Sequence, residues 1–358
     1  MIIISHGNLL TADAEALVNT VNTVGVMGKG IALQFKRAYP PNYTAYRTAC
    51  AAGQVKLGEM FVFDSGRLGP RRYVINFPTK GHWRARSKLT DIRAGLADLV
   101  RVVREHQISS VAMPALGCGN GGLDWEEIRP EITRAFAELP DVRVLLFPPE
   151  GAPDPGDMPV ATEKPPLTPG RATLLRAVDR YLERSNALEP RDGVTTLEIQ
   201  KIAYFLQALG EPLQLTFARG RCGPYAERLN QVLDRLEGHY LLGYGDRSAR
   251  VEELRPINLT PGTAETVSTW FEANGNVAEA SLTRLAQLVD GFETPYSLEL
   301  LATVHYAAAL DPPADDLGQL IERVQTWSGR KARLFTPAHV TMAYDRLRSS
   351  GLLPLLTS

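Results

Sequence analysis

The stretch from residue 16 to residue 35, ALVNTVNTVGVMGKGIALQF, constrains the fold more than any other part of this 358-residue sequence. Its apolar run Leu17–Val21 predicts a short buried strand, and the residues from 31 onward predict a helix. The loop between them contains Gly25, Gly28 and Gly30. Such a loop lets backbone N–H groups approach an anion closely at a helix N-terminus. The glycine spacing fits neither a dinucleotide-binding GxGxxG motif nor a P-loop, so a plain strand–turn–helix corner stays open as the alternative.

A second glycine-rich loop follows another predicted strand. The apolar run Val111–Leu116 leads directly into GCGNGG at residues 117–122. Asp124 then provides a predicted helix N-cap, with Glu127 three residues later in a capping-box pattern. Loops at the carboxyl ends of strands in an open α/β sheet lie together and bind ligands. Four glycines in six residues cost backbone entropy, which favours a clamp around a diphosphate over a simple connection.

Three motifs, occurring in a fixed order, resemble a known family. They are GNLLTADAEALVNTVNTVGVMGKGIALQFK, INFPTKGHW and PALGCGNGGLDWEE. These motifs resemble the macrodomains, and within them the branch that includes the vertebrate terminal ADP-ribose glycohydrolase and the DarG antitoxins of DarTG toxin–antitoxin systems. The resemblance covers about the first 150 residues. It implies a macrodomain α/β/α sandwich that binds ADP-ribose as substrate or product, with no cofactor and no metal.

The resemblance also implies which residues bind ADP-ribose. Macrodomains usually have an aspartate at the position of Asn8, where it accepts a hydrogen bond from the adenine amino group. An asparagine accepts that bond through its carbonyl oxygen, without charge assistance. The alternative for Asn8 is a turn residue. The full set of predicted ADP-ribose-binding residues is Asn8, Leu9, Thr20, Asn22, Gly28, Lys29, Gly30, Ile31, Thr79, Gly117, Cys118, Gly119, Asn120, Gly121 and Gly122.

Lys80 matches the lysine that the resembling family uses in catalysis. It follows the predicted strand Tyr73–Phe77, so we expect it at a strand end close to both glycine loops. A neutral lysine amine attacks the ribose anomeric carbon, or the aldehyde of the opened sugar, and gives an adduct that water resolves. Partial burial or a neighbouring cation, for which Lys29 is the candidate, would lower its pKa. The alternative is a solvated lysine that pairs with a phosphate.

Asn22 is the second predicted catalytic residue. An amide at a strand end binds ribose hydroxyls and orients the anomeric carbon, although a turn residue explains Asn22 equally well. The vertebrate enzyme has a catalytic aspartate in the second glycine loop, where this sequence has Gly121. Asp124 fits a helix cap better than that role. In this interpretation Lys80 acts without a carboxylate partner, which suits a nucleobase as the leaving group.

A basic and aromatic cluster follows Lys80. His82, Trp83 and Arg84 are predicted to contact DNA, with phosphates on the cations and a base stacked on Trp83. A solvated basic loop is the alternative. The resemblance implies a glycohydrolase that removes ADP-ribose from thymidine in single-stranded DNA. Two other functions stay open: a macrodomain that binds ADP-ribose without cleaving it, and a hydrolase that acts on ADP-ribosylated protein carboxylates.

The rest of the sequence predicts a different architecture. Residues 148–169 contain eight prolines, which predict a semi-rigid linker, placed at 151–170, between a macrodomain at 1–150 and a mostly α-helical domain at 171–358. In the DarG resemblance this helical domain binds the cognate DarT toxin, an ADP-ribosyltransferase that modifies thymidine. Thr195 and Glu198 form a predicted capping box. Further helices are predicted near 225–237, 264–273, 277–290, 296–310, 315–327 and 338–350, with a small hairpin between 213–218 and 240–244.

Charge and cysteine content limit the remaining possibilities. Residues 1–150 contain 18 Lys and Arg against 14 Asp and Glu, whereas the net charge of residues 151–358 is −5, so the whole chain is close to neutral. Bulk electrostatics therefore indicate no partner. Three cysteines without metal-ligand spacing predict reduced thiols in the cytoplasm. No secretory leader and no apolar stretch of about 18 residues occur, so we expect neither export nor a membrane span.

Overall fold

The computed structural model of this chain describes residues 1–249, 253–310, 312–354 and 356. The chain forms two compact units, one comprising Met1–Glu163 with Gly245–Ser248, the other Lys164–Tyr244 with Ala249–Ser358. We call them the first and the second unit. The short segment Gly245–Ser248 thus belongs to the first unit, although it lies within the part of the sequence for which we predict the helical domain.

The first unit is built on a six-stranded mixed sheet. The strands are β1 Ile2–Ile4, β2 Ala16–Asn22, β3 Phe61–Asp64, β4 Tyr73–Lys80, β5 Ser110–Pro114 and β6 Arg143–Phe147. Their order is β1-β6-β5-β2-β4-β3. Neighbouring strands are parallel, except that the edge strand β3 runs antiparallel to β4. The central strands β2 and β4 therefore end at the same edge of the sheet.

Helices cover both faces of this sheet, which confirms the predicted macrodomain α/β/α sandwich. They are α1 Ile31–Ala38, α2 Pro40–Ala51, α3 Leu89–Glu105 and α4 Trp125–Phe136. Side chains of β2 alternate between two cores because successive strand residues point to opposite faces. Val18 packs in the core that contains residues of α3 and α4, whereas Leu17 packs in the core that contains residues of α1.

Two local features of the first unit determine where α1 ends and where β4 ends. Pro40 and Pro41 separate α1 from α2, because proline is accommodated in the first turn of a helix but not in its interior. Gly95 of α3 lies directly against the ring of Phe77, where a Cβ atom would be only 2.3 Å from the ring. This close approach fixes β4 three residues before it ends at Lys80.

The second unit is mostly helical, as predicted. The capping box between Thr195 and Glu198 is present at the start of one helix. The helix Gly329–Leu334 was not predicted, since its six residues are too few for a clear period. The helices are α5 Pro169–Leu188, α6 Thr196–Ala208, α7 Glu227–Leu236, α8 Thr263–Ala273, α9 Glu279–Val289, α10 Pro295–Ala308, α11 Leu317–Gln325, α12 Gly329–Leu334 and α13 Pro337–Ser349.

The predicted hairpin between 213–218 and 240–244 is wrong. Instead β7 Ala218–Gly220 pairs with β8 Gly223–Tyr225 through a two-residue connection. Gly223, the first residue of β8, has a φ of +87°, a left-handed conformation that glycine adopts without steric cost. Leu241–Leu242, the strand β9, pairs with the more distant β10 Asn258–Leu259. Across the described ranges of both units, no helix has the length and apolarity that crossing a bilayer requires.

Candidate functional site

The two predicted catalytic residues lie side by side at one edge of the sheet. Lys80 is the last residue of β4, as predicted, and Asn22 is the last residue of β2. The two strands are parallel neighbours, and an irregularity after Val21 brings Asn22 opposite Lys80 in the register. Thr23, directly after Asn22, donates a hydrogen bond from its hydroxyl to the carbonyl oxygen of Gly81 at 2.8 Å. The first glycine loop and the segment after Lys80 are therefore joined at this edge.

The Lys80 side chain is partly buried and points to the second glycine loop. Its Nζ donates a hydrogen bond to the carbonyl oxygen of Asn120 at 3.0 Å. Burial lowers the pKa of Lys80 from its ordinary value, because the charged form loses hydration. Lys29, the candidate neighbouring cation, is exposed and is not among the causes of this shift. Of the two ways to activate this amine, the structure thus provides burial.

The first glycine loop is held by Asn22. Its amide oxygen accepts hydrogen bonds from the N–H groups of Val24 at 3.0 Å and Val26 at 3.3 Å, and its Nδ2 donates to the Val26 carbonyl at 2.6 Å. The buried hydroxyl of Tyr46 donates to the Asn22 carbonyl. The Asn22 side chain is only 5% exposed. These contacts fit the turn-residue alternative, and the catalytic role of Asn22 stays a prediction.

The second glycine loop is held by the segment that follows Lys80. The Ser87 N–H donates to the Gly121 carbonyl at 3.0 Å, and Arg86 Nη2 donates to the Gly122 carbonyl at 3.3 Å. A Cβ atom on Gly121 would lie 2.3 Å from both the Gly117 carbonyl oxygen and Ser87 Oγ. No side chain fits at Gly121, so the loop that places Asn120 against Lys80 cannot carry an aspartate there.

The two glycine loops face each other. Gly30 enters α1 with a φ of +62°, and a Cβ atom on it would lie 3.3 Å from Asn120 Nδ2. Cys118 of the second loop is partly buried, which together with the charge of Asp124 raises the pKa of its thiol to about 11. A thiol with this pKa is protonated at neutral pH and is a weak nucleophile. Of these two groups, the Lys80 amine, whose pKa is lowered by burial, is the better candidate for a nucleophile.

The remaining predicted ADP-ribose-binding residues lie on neighbouring elements of the first unit. Asn8 caps a short 3-10 turn, Leu9–Thr11: its Oδ1 accepts from the Leu10 N–H at 2.9 Å and its Nδ2 donates to the Asp157 carbonyl at 2.6 Å. Leu9 is buried. Thr20 lies in β2, and the buried Thr79 in β4. The Asn8 oxygen that we expect to face adenine thus already accepts one hydrogen bond.

The predicted DNA-contacting residues form a stack on the surface. Trp83 is 46% exposed. The Arg84 guanidinium carbon lies 4.4 Å from the Trp83 ring centroid, and the His82 ring lies 5.2 Å from it. His82 Nδ1 accepts a hydrogen bond from the Arg84 N–H at 3.2 Å. These contacts order an aromatic ring and a cation in the segment that follows Lys80, and the contact with DNA stays a prediction.

One contributor to this region was not predicted from the sequence. The Gly30 N–H, at the start of α1, donates a hydrogen bond at 2.9 Å to the carbonyl oxygen of Asp246, which is far away in the sequence. The buried polar residues Gln34 and Arg37 on α1 are the signal that indicates such a partner, because buried polar side chains require hydrogen bonds. For metal ligands, the described parts of the chain bring together no group of three or more His, Cys, Asp or Glu side chains.

Comparisons with known proteins support the macrodomain fold of the first unit. A family model described as "Macro domain" matches residues 18–132. A protein of Mycobacterium tuberculosis named "DNA ADP-ribosyl glycohydrolase" is 45% identical over 353 residues, which cover 97% of this chain and 99% of that protein. A protein of the same name from Thermus aquaticus is 48% identical over 348 residues, covering 97% and 93%. A "DNA ADP-ribosyl transferase-DNA ADP-ribosyl glycohydrolase fusion protein" of Thermosipho africanus is 32% identical over 157 residues, 40% of each chain.

Proposed function

This chain belongs to the DarG-type family of DNA ADP-ribosyl glycohydrolases, and on that premise we propose that it removes ADP-ribose from thymidine in single-stranded DNA. We further propose that it is an antitoxin, which binds and neutralises a DarT-type ADP-ribosyltransferase through residues 171–358. A macrodomain that only binds ADP-ribose is the second candidate, and a hydrolase of ADP-ribosylated protein carboxylates is the third. The observation that favours the first is the partly buried amine of Lys80 between two glycine loops.

The reaction uses the neutral form of Lys80. Its nitrogen forms a bond to the anomeric carbon of the distal ribose while the bond from that carbon to the base nitrogen breaks. The base nitrogen keeps the bonding pair and takes the proton that the attacking amine loses, which restores an unmodified base. Water then adds to the same carbon, the carbon–nitrogen bond to Lys80 breaks, and ADP-ribose and the free amine are released. The glycine loops hold the diphosphate through their backbone N–H groups.

The decisive experiment uses a single-stranded oligonucleotide with one ADP-ribosylated thymidine. Incubation with the full chain is expected to release ADP-ribose and return the oligonucleotide to its unmodified mass. The matched controls are the same oligonucleotide modified on a guanine, and a peptide with ADP-ribosylated glutamate. If ADP-ribose binds but stays on the DNA, the protein is a binding module. If the peptide is cleaved and the DNA is not, the carboxylate hydrolase is correct.

The rate is expected to depend on pH through Lys80. Burial lowers the pKa of this amine, so the neutral fraction rises as pH increases through that lowered value. We expect kcat/KM to rise with pH and to level off below the ordinary lysine pKa of about 10.4. A profile that is flat from about pH 6 to about pH 10 would mean that the amine does not titrate in the reaction.

Trp83 is proposed to stack on a base next to the modified nucleotide. Trp83→Ala is expected to raise KM for the modified oligonucleotide about tenfold or more, since stacking of one base contributes about 1–3 kcal/mol. Free ADP-ribose should bind to this variant with unchanged affinity, because the ring lies outside the glycine loops. Kinetics give the KM for the modified oligonucleotide, and calorimetry gives the affinity for free ADP-ribose. Trp270→Ala in the second unit is the control. Equal loss of both affinities would contradict a contact with DNA alone.

The toxin partner is supported by two observations. One relative combines a DNA ADP-ribosyl transferase and a glycohydrolase in a single chain. The matches to the M. tuberculosis and T. aquaticus relatives also extend over the second unit, which lies outside the macrodomain match. The test mixes the purified transferase with the full chain and measures complex formation and DNA modification. No complex at micromolar concentrations would remove the toxin from this proposal and leave the glycohydrolase intact.

A further inference from the structure

Helix α1 has a polar face that is almost completely buried. Gln34 and Arg37 are each 4% exposed, and they follow Gly30 at helical spacing, so all three lie along one side of α1. A buried amide or guanidinium group without a hydrogen-bond partner is costly, which means that something polar must cover this side. This polar side matters for the proposed site because α1 begins directly after Gly30, the last glycine of the first glycine loop.

The cover is the segment Gly245–Ser248, which belongs to the first unit. Asp246 contacts α1 twice: its carbonyl oxygen accepts from the Gly30 N–H at 2.9 Å, and its Oδ2 accepts from Gln34 Nε2 at 2.7 Å. Arg37 Nη1 donates to the Gly245 carbonyl at 2.7 Å. Asp246 Oδ1 accepts from the Ser248 N–H at 2.9 Å, which closes the turn on itself. The Asp246 residue is 3% exposed.

The same segment also reaches the loop itself. Arg247 Nη1 lies 3.5 Å from the carbonyl oxygen of Gly28, inside the first glycine loop. Gly28 and Gly30 are thus held from the same four-residue segment, which leaves the loop little freedom to change shape. Because the Gly30 N–H donates to Asp246, other backbone N–H groups of this loop and helix start would bind the diphosphate. Such a site depends on those groups being fixed before the ligand arrives.

We propose that the segment Gly245–Ser248 contributes to ADP-ribose binding. In this proposal Asp246 is a positioning residue: it holds Gly30 and α1 in the conformation that binds the diphosphate. This inference rests on the proposed function, since it assumes that the first glycine loop binds that diphosphate. It extends the site to a segment of sequence that begins 113 residues beyond the end of the macrodomain match at residue 132.

The test compares full-length variants for binding of free ADP-ribose by calorimetry. Asp246→Ala is expected to raise the Kd about tenfold, because it removes the bonds to Gln34 and to the Ser248 N–H, and hydrogen bonds to a carboxylate are among the stronger ones. Asp246→Asn should recover most of the affinity, since its amide oxygen still accepts from Ser248 and the Gln34 amide can turn its oxygen to the new Nδ2. Gln34→Ala and the variant with both Asp246→Ala and Gln34→Ala complete a double-mutant cycle. The losses of ADP-ribose affinity in the two single variants should be strongly non-additive in the double variant.

Glu15→Ala is the matched control. This carboxylate also accepts two hydrogen bonds, from the N–H and the hydroxyl of Ser109. It lies at the opposite end of β2 from Asn22, about 23 Å away at the rise of an extended strand. Its removal should leave the Kd for ADP-ribose unchanged. Equal losses in Asp246→Ala and Glu15→Ala, an unchanged Kd in a folded Asp246→Ala, or no recovery in Asp246→Asn would each overturn the proposal.

Hydrogen exchange separates this inference from the proposed function. In Asp246→Ala the amides of residues 28–34 should exchange faster than in the unsubstituted protein, even without ADP-ribose. If the unsubstituted protein does not bind ADP-ribose, the proposed function fails, and faster exchange still supports the positioning contact. If exchange at residues 28–34 is unaltered, Asp246 does not fix the loop, whatever the protein binds.

Discussion

Lys80→Arg is expected to lower kcat for release of ADP-ribose from DNA at least about a thousandfold, with free ADP-ribose bound nearly as well as before. Arginine keeps the positive charge and the ability to donate to the Asn120 carbonyl, but it does not lose its proton in proteins. The substitution therefore removes only the neutral amine. A lysine that merely pairs with a phosphate would be replaced by arginine at little cost, so this variant decides between the two interpretations of Lys80.

The measurement combines single-turnover cleavage of the modified oligonucleotide with calorimetry of free ADP-ribose. Lys56→Arg is the control, because Lys56 is an exposed lysine that contacts Glu59 only at 3.9 Å. It should cleave like the unsubstituted protein. Lys80→Ala should be as slow as Lys80→Arg. Substantial cleavage by Lys80→Arg would show that the charge and not the nucleophile matters, and the covalent step would have to be abandoned.

The sequence predicts which residues lie at this edge of the sheet better than it predicts the hydrogen bonds that hold the loops in place. Lys80 follows the mostly apolar segment Tyr73–Phe77, and the two glycine loops follow two more apolar segments, so their placement at strand ends follows from period and composition alone. Asn22 shows where this reasoning stops. The same amide suits a ribose contact and a turn, and only the three hydrogen bonds to Val24 and Val26 reveal that its side chain holds the loop.

Asp246 was beyond prediction for a different reason. Its partner Gln34 is 212 positions away in the sequence. Asp246 lies in none of the three motifs, and Gln34, which lies in the first, is not among the predicted site residues. A buried glutamine on a helix indicates that a polar partner exists, but the sequence does not say where. The wrong hairpin in the second unit has a related cause, since strands of two or three residues such as β9 have too few positions to show a period.

Gly121→Asp is expected to abolish ADP-ribose binding rather than to supply the aspartate that the vertebrate enzyme has in this loop. The Cβ atom would lie 2.3 Å from the Gly117 carbonyl oxygen and from Ser87 Oγ, so the backbone must move. That movement breaks the bond from the Ser87 N–H to the Gly121 carbonyl and shifts Asn120 away from Lys80. We expect ADP-ribose affinity to fall at least about a hundredfold, because such a displacement removes several aligned N–H groups at once.

Gly329→Ala, in α12 of the second unit, is the control for Gly121→Asp and for the milder Gly121→Ala. A Cβ atom on Gly329 would meet nothing within 4 Å, so this variant should bind ADP-ribose normally. Gly121→Ala should lose most of the affinity as well, because the clash begins at Cβ and not at the carboxylate. Overpacking of this kind also lowers the free energy of unfolding by about 1–3 kcal/mol, which thermal unfolding measures. If Gly121→Asp bound ADP-ribose and cleaved faster, the loop would tolerate a carboxylate, and Lys80 would no longer need to act alone.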